Sequence, residues 1–197
     1  MPYISDREFT DKVHDRLAVN IIYPVMDWKV QELNANLLEN IDMRNAVDYV
    51  ATDSRSGKIV TIQERFRESK YSGYSDFTVR YKRPENAHED RRKSEFFKLD
   101  ANYFVYGIIN TSKDDVDSAT GFVKFAVLDI PALKTLIDGG KVVVDPKLNR
   151  KSCVLKDGIM RCPVNDNYDH SSNFVPFDIR ILAQIAPQVI VYQEGFI

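Results

Sequence analysis

The sequence has few of the features that identify a membrane, secreted or nucleotide-binding protein. Only two of its 197 residues are cysteines, too few for the disulfide framework of a small secreted domain. No apolar run approaches the ~20 residues that a membrane-spanning helix needs, and the first residues are polar and acidic, unlike a secretory signal. No glycine-rich phosphate-binding loop is present. These absences predict a cytoplasmic protein that neither enters a membrane nor carries a P-loop.

An excess of basic charge is also missing. The chain has 27 Lys and Arg against 29 Asp and Glu, which gives a net charge of −2. A protein that coats nucleic acid is usually basic overall, so any such contact must come from a local patch. The stretch 65–98 offers one, because its ten basic and six acidic residues give it a net charge of +4.

Within and beside that patch, tyrosines are interleaved with the basic side chains and are candidates for stacking on bases. An equally simple interpretation is a solvated, charged surface. The residues predicted to contact a phosphate backbone are Arg67, Lys70, Arg80, Lys82, Arg83, Arg91 and Arg92.

The sequence does contain enough apolar residues for a core, since 44% of the chain is hydrophobic.

The N-terminal part predicts a helix that begins with a capping box at Ser5–Glu8. Phe9, Val13 and Leu17 then recur at the spacing of one buried helix face, and Pro24 predicts the end of the helix. Residues 25–45 favour a second, imperfect helix that would include Trp28 and Val30.

The middle of the chain predicts a β-hairpin. Val47–Ala51 and Lys58–Arg67 have strand character, and the turn formers of Thr52–Gly57 join them. A third strand at Phe77–Tyr81, a charged helix at 85–99 and a buried strand at Tyr103–Ile109 follow. The order through residue 109 is therefore helix, three strands, helix and strand.

The C-terminal part predicts further strands and helices. Phe122–Ile130 is a buried strand, and Pro131 starts a short helix. Asp157 and Gly158 form a strong two-residue turn signal, and a helix at 176–186 and a strand at 188–192 close the chain. The whole chain, 1–197, is therefore predicted to be a single α/β (α+β) domain with a central mixed sheet flanked by helices.

The first hairpin carries the residues that suggest chemistry. Across its ladder, Asp48 should lie near Gln63 and Glu64, so that an aspartate and a glutamate share one face or one edge. Mg²⁺ binds through one or two carboxylates and keeps several waters. A cationic side chain such as Arg65 would stabilise charge that develops on phosphorus, although an arginine stays charged and transfers protons poorly.

This arrangement resembles the PD-(D/E)xK nuclease superfamily, whose fold is called restriction-endonuclease-like. Its members place an Asp on one strand and an acid or Gln, any residue, then Lys on the next. On strict alignment Asp48 matches the Asp, Gln63 the acid and Arg65 the usual Lys. The alternative register takes Glu64 as the acid and leaves Phe66 at the Lys position, so Glu64 is kept as a second candidate ligand.

The resemblance covers 5–110 as a nuclease-like core and leaves 111–197 as an extension of the same sheet with a hairpin and a helix. It implies an endonuclease that cleaves DNA with Mg²⁺ or Mn²⁺, with Asp48, Gln63 and Glu64 as metal ligands and Arg65 as the fourth catalytic residue. Many relatives act as dimers, so a homodimer is part of the expectation. The alternative is an inactive nucleic-acid-binding or protein-interaction module on the same scaffold.

The two cysteines allow three interpretations. A two-residue loop at Asp157 and Gly158 would bring Cys153 opposite Cys162 in a non-hydrogen-bonded pair, a geometry that permits a disulfide. Reduced thiols are the expected state in the cytosol. A zinc site with His170 as third ligand is the remaining alternative. His14 and His88 are expected at the surface or on a helix face.

Overall fold

The computed structural model describes residues 5–31, 47–82, 94–168 and 172–197. The chain divides into two compact units. The first contains the described residues up to Tyr74 together with 101–128 and 191–197, and the second contains the described residues of 75–100 and 129–190. The boundaries of these units do not coincide with residue 110, where the nuclease-like core is expected to end, because each unit is assembled from separate stretches of chain.

The described residues form a mixed set of helices and strands, in agreement with the predicted α+β class. The helices are α1 Asp6–Val13, α2 Tyr23–Met26, α3 Glu95–Lys98, α4 Ile130–Asp138 and α5 Ile179–Ile185, with a π-helix at His14–Ile22 and 3₁₀ turns at Ser69–Tyr71, Lys113–Ser118 and Pro187–Val189. The strands are β1 Trp28–Val30, β2 Tyr49–Asp53, β3 Ile59–Arg67, β4 Asp76–Lys82, β5 Tyr103–Ile109, β6 Phe122–Asp129, β7 Val142–Asp145, β8 Val154–Lys156, β9 Ile159–Pro163, β10 Asn165–Asp166, β11 Asn173–Asp178 and β12 Ile190–Glu194. None of the described helices is long and apolar enough to cross a membrane.

The N-terminal helix begins where the sequence predicts and runs on further. Ser5 Oγ accepts a hydrogen bond from the Glu8 N–H at 3.0 Å, which confirms the N-cap. The predicted end before Pro24 is wrong, because helical backbone continues to Met26. Pro24 lies in the first turn of α2, where proline is tolerated. Asp27 ends the segment in the left-handed conformation, with φ of 56°.

A six-stranded sheet supports the first unit, in the order β1-β2-β3-β5-β6-β12. The predicted hairpin is confirmed, since β2 and β3 are antiparallel neighbours. β3 pairs in parallel with β5, so the sheet is mixed. The apolar face of α1 and the π-helix packs on this sheet, where Val13, Ile22, Ile62 and Val105 are fully buried.

Four predicted elements differ from the structure. The C-terminal helix begins at Ile179 and not at Pro176, because residues 176–178 belong to β11. Trp28 and Val30 belong to β1 and not to a second helix, because Asp27 reverses the chain and Trp28 pairs with Asp53. The predicted third strand exists as β4, but its neighbour is β11 and not β3. Of the predicted charged helix, α3 is helical, whereas 83–93 lie outside the described residues, as do 32–46 of the predicted second helix.

The second unit contains two three-stranded sheets, β10-β11-β4 and β7-β9-β8. The hairpin of β8 and β9 has the predicted register, with Lys156 opposite Ile159. Asp157 and Gly158 have φ of 54° and 71°, as a two-residue turn of this type requires. Cys153 and Cys162 are free thiols, and His170, the third predicted zinc ligand, lies outside the described residues.

Candidate functional site

Asp48, the residue just before β2, lies beside Gln63 of β3. Tyr49 is paired with Ile62 across the hairpin, and the Asp48 N–H donates to the Ile62 carbonyl at 2.9 Å. Gln63 Nε2 donates to Asp48 Oδ2 at 2.6 Å, and the backbone N–H of Glu64 donates to the same oxygen at 2.8 Å. The hairpin therefore brings the two residues of the predicted Asp and acid positions into contact.

The amide oxygen of Gln63 is left without a protein partner. Gln63 is 8% exposed, and its Oε1 has no hydrogen bond to any of the described residues. Leaving a buried acceptor unpaired costs about 1–3 kcal/mol, and a bound water or ion is one of the explanations for such an atom in a native structure. Oε1 is therefore an acceptor that a water or a cation beside Asp48 could fill.

The chemistry of these donors fits a hard cation. A carboxylate and an amide oxygen are both oxygen ligands, and Mg²⁺ takes few protein ligands because it keeps most of its waters. Within the described residues, no three His, Cys, Asp or Glu side chains lie close enough together to hold a metal. A cation here would therefore depend on Asp48, Gln63, water and the oxygens of a bound phosphate.

Arg65 and Arg67 continue the face of β3 from which Gln63 projects, because side chains two residues apart in a strand share a face. Both are half-buried. The Arg67 guanidinium lies 4.9 Å from the centre of the Tyr71 ring, and Lys70 Nζ lies 5.2 Å from the same ring. Lys70 also forms an ion pair with Glu68. Positive charge therefore follows Gln63 along β3 and into the turn after it.

The remaining predicted phosphate-contacting residues belong to the second unit or are not described. Arg80 and Lys82 lie on β4, where the Arg80 N–H donates to Glu95 Oε2 at 2.9 Å and the Lys82 ammonium lies 5.5 Å from the Tyr81 ring. The others lie outside the described residues and are Arg83, Arg91 and Arg92.

Glu64, the third predicted ligand, points to the opposite face of β3. Its side chain is fully buried and accepts two hydrogen bonds from the N-terminal helical segment. Tyr23 Oη donates to Oε1 at 2.9 Å, and His14 Nδ1 lies 2.9 Å from Oε2. Since a carboxylate only accepts hydrogen bonds, His14 donates its Nδ1–H. Both oxygens of Glu64 are thus bound on the helix side, away from Gln63.

Aromatic rings enclose this buried group. The His14 and Tyr49 rings are stacked, with centroids 3.5 Å apart and planes within 3°, and Tyr49 Oη donates to Asp11 Oδ1 at 3.5 Å. Burial raises the pKa of the Tyr23 phenol far above its usual range, and the Glu64 carboxylate raises it further. Burial also raises the pKa of Tyr49 and of Asp11. Tyr23 is therefore a permanent donor to Glu64.

The π-helix explains how His14 and Tyr23 reach the same acceptor. In an α-helix with 3.6 residues per turn, a separation of nine residues is two and a half turns and puts side chains on opposite faces. A π-helix closes i to i+5 hydrogen bonds and has roughly 4.4 residues per turn, so nine residues make about two turns. The stretch His14–Ile22 therefore aligns His14 with Tyr23 above Glu64.

The sequence prediction missed these partners of Glu64. His14, expected on the surface or on a helix face, is 4% exposed. A signal was present, because the buried residues of the N-terminal segment recur in pairs four to five positions apart, which is wider than the α-helical period. The buried residues are Phe9, Val13, His14, Leu17, Ala18, Ile22 and Tyr23.

The molecule thus holds two polar groups on one strand, an Asp48–Gln63 pair and a Glu64–His14–Tyr23 cluster. The first keeps the spacing of the motif to which the sequence was compared, with Gln63 at the acid position and Arg65, two residues beyond it, at the position of the usual Lys. The second has no counterpart in that motif. Comparisons with protein-family models, with curated proteins and with solved structures gave no match.

Proposed function

We propose that this chain is a Mg²⁺-dependent endonuclease that hydrolyses DNA phosphodiester bonds, with a site of PD-(D/E)xK type. The observation that supports it most is the contact between Asp48 and Gln63, with Gln63 Oε1 buried and unpaired within the described part of the chain. Such a pair gives a divalent cation a carboxylate and an amide oxygen beside β3, a central strand of the sheet.

The chain's own residues would divide the work. Asp48 and Gln63 would hold the cation, which would supply Lewis acidity and lower the pKa of a bound water. The backbone N–H of Glu64 donates to Asp48 Oδ2 and so fixes the orientation of the carboxylate. Arg65 stabilises charge that develops on the phosphoryl oxygens. Because an arginine does not give up its proton, it leaves proton transfer to solvent or substrate.

Arg67 and Lys70 would hold the phosphate backbone on one side of the scissile bond. Both place positive charge near the ring of Tyr71, and a ring of this kind can stack on a base or a sugar. Affinity that depends on such contacts falls as salt rises, because bound phosphates release counterions.

The test is nicking of supercoiled plasmid DNA in the presence of Mg²⁺ or Mn²⁺ or of a chelator. Asp48→Asn removes the charge with little change in shape and is expected to lower the rate by roughly 10²-fold or more. Asp114→Asn is the matched control, because Asp114 is an exposed acid on a 3₁₀ turn, and it should leave the rate unchanged.

A second measurement separates the enzyme from the inactive module. Mn²⁺ binding followed by electron paramagnetic resonance should weaken in the Asp48→Asn variant and stay the same in Asp114→Asn. The nuclease proposal fails if the protein binds DNA but does not cleave it at any metal concentration, and if Asp48→Asn leaves that binding unchanged. The chain would then be a nucleic-acid-binding module.

A further inference from the structure

The hairpin of β8 and β9 holds two thiols that the proposed nuclease site does not use. Val154 is paired with Arg161, so Cys153 and Cys162 occupy the next pair of the ladder. Cys153 Sγ lies 3.6 Å from Cys162 Sγ. Because Lys156 and Ile159 close the turn, the cysteines fall in a non-hydrogen-bonded pair, with Cα atoms about 4.5 Å apart, within the range that a disulfide spans.

The two thiols differ in access. Cys162 is fully buried, and the Cys153 thiol beside it raises the pKa of Cys162, with burial as a further cause. Cys153 is partly exposed, and its sulfur also lies 3.1 Å from the Pro176 carbonyl oxygen. A reagent from solvent therefore meets Cys153 first, while Cys162 is held behind it.

The chain next to Cys153 is basic. Lys147, Arg150 and Lys151 are exposed and precede it within six residues. Exposed positive charge of this kind attracts an anionic reagent. A small disulfide that carries carboxylates, such as oxidised glutathione, fits both the access and the charge.

We propose that Cys153 and Cys162 form a redox-active dithiol that exchanges with a small anionic disulfide. The Cys153 thiolate attacks one sulfur of that disulfide, whose S–S bond breaks, and the first small thiol leaves with a proton. The Cys162 sulfur then attacks Cys153 Sγ, the mixed S–S bond breaks, and the second small thiol leaves with the proton of Cys162. Two electrons pass from the protein to the reagent, and a Cys153–Cys162 disulfide remains.

Oxidation would change the hairpin locally. The new bond joins Cys153, just before β8, to Cys162 on β9. It also removes the S–H with which Cys153 can donate to the Pro176 carbonyl on β11. Reduction by excess small thiol reverses both changes. The chemistry thus makes the hairpin responsive to the ratio of small disulfide to small thiol.

The test uses the wild-type chain in buffers of varied oxidised-to-reduced glutathione ratio, quenched with acid and alkylated. As the ratio rises, the protein is expected to lose two hydrogens and to take up no alkylating reagent, and both changes are read from the intact mass. Reductant should restore both alkylatable thiols. Two alkylatable thiols at every ratio, or a disulfide-linked dimer on a non-reducing gel, would overturn the proposal without any variant.

Two serine variants test the order of attack. Cys162→Ser should accumulate one glutathione on Cys153, whereas Cys153→Ser should be modified at least about 10-fold more slowly, because Cys162 is buried. Equal rates in the two variants would refute the assigned roles. If a stoichiometric amount of Zn²⁺ protected both wild-type thiols from alkylation, the pair would be a metal site and the redox assignment would fail.

The contribution of charge has its own readout. Oxidised glutathione is expected to react faster than the neutral hydroxyethyl disulfide, and added salt should remove the difference. Equal rates for the two disulfides at low salt would show that the basic stretch does not select an anionic reagent, and that part of the proposal would fail.

Discussion

Gln63 and Glu64 are consecutive residues of β3, yet they are held in opposite ways. Glu64 faces the helical segment, and His14 and Tyr23 bind both of its oxygens. Gln63 faces the other side and donates to Asp48, while its own Oε1 is unpaired among the described residues. One face of the strand is a completed polar cluster, and the other offers an acceptor.

The difference separates a structural role from a binding role. A buried carboxylate is tolerated only when its hydrogen bonds are made, so the cluster around Glu64 ties the helical segment to the sheet. A buried acceptor without a partner gains free energy when a ligand provides one. We therefore expect mutations on the Glu64 face to change stability and those on the Gln63 face to change the response to metal.

The largest effect should come from Glu64→Ala. This change leaves His14 and Tyr23 with buried donors and no acceptor, and each buried donor left unpaired costs about 1–3 kcal/mol. Gln63→Ala should cost only about 1 kcal/mol, the value of an ordinary hydrogen bond. Urea unfolding of both variants measures the difference. Equal losses would mean that the two faces do not differ as described.

Tyr23→Phe comes next and tests a single contact of the cluster. The change removes the hydrogen bond from Oη to Glu64 and keeps the ring, so the free energy of unfolding should fall by about 1.5–3 kcal/mol, the range for a bond to a charged group. Tyr49→Phe is the control, because its hydroxyl donates to the exposed Asp11 at 3.5 Å. A larger loss in the control would place the main support of Glu64 elsewhere.

Gln63→Glu should make the metal response visible. A second carboxylate beside Asp48 removes the Nε2 donor and adds like charge, so stability in chelator should fall by about 1–2 kcal/mol. Mg²⁺ should restore it and raise the melting temperature more than in the wild type, since a ligand stabilises the state that it binds. Glu64→Gln, on the other face, should give no additional response to Mg²⁺.

The smallest effect concerns alkaline pH. The pKa of Tyr23 is raised in the folded chain by burial and by Glu64, whereas tyrosines of the unfolded chain ionise near pH ~10. Stability should thus be constant below that pH and fall above it, by up to about 1.4 kcal/mol per pH unit for this residue. Unfolding should be measured between about pH 8 and about pH 11, on both sides of the tyrosine pKa. The free energy of unfolding should fall less steeply with pH for Tyr23→Phe than for the wild type.

Local patterns were sufficient to predict the parts of the fold whose partners are close in sequence. The hairpin of β2 and β3 follows from alternation and turn residues, and Asp157 with Gly158 gives the second hairpin with its register. The contact of Asp48 with Gln63 follows from the first hairpin alone. That part of the candidate site could therefore be predicted before any coordinates.

The remainder depends on contacts between distant parts of the chain. Glu64 meets Tyr23 and His14 across 41 and 50 residues, and nothing in β3 indicates those partners. β4 has strand character, but its pairing with β11 is decided by packing of the second unit. Trp28 and Val30 are of residue types that are enriched in strands, but the short β1 also depends on Asp53, which pairs with Trp28 from a distant part of the chain.

The wide helix at His14–Ile22 has a consequence for how this chain tolerates change. Because of its wider turns, the number of residues between His14 and Tyr23 matters as much as the identity of these two residues. Shortening the stretch by one residue would swing one of the two rings off the carboxylate, even though every side chain of the cluster would still be encoded. In this segment a deletion is therefore more damaging than most substitutions.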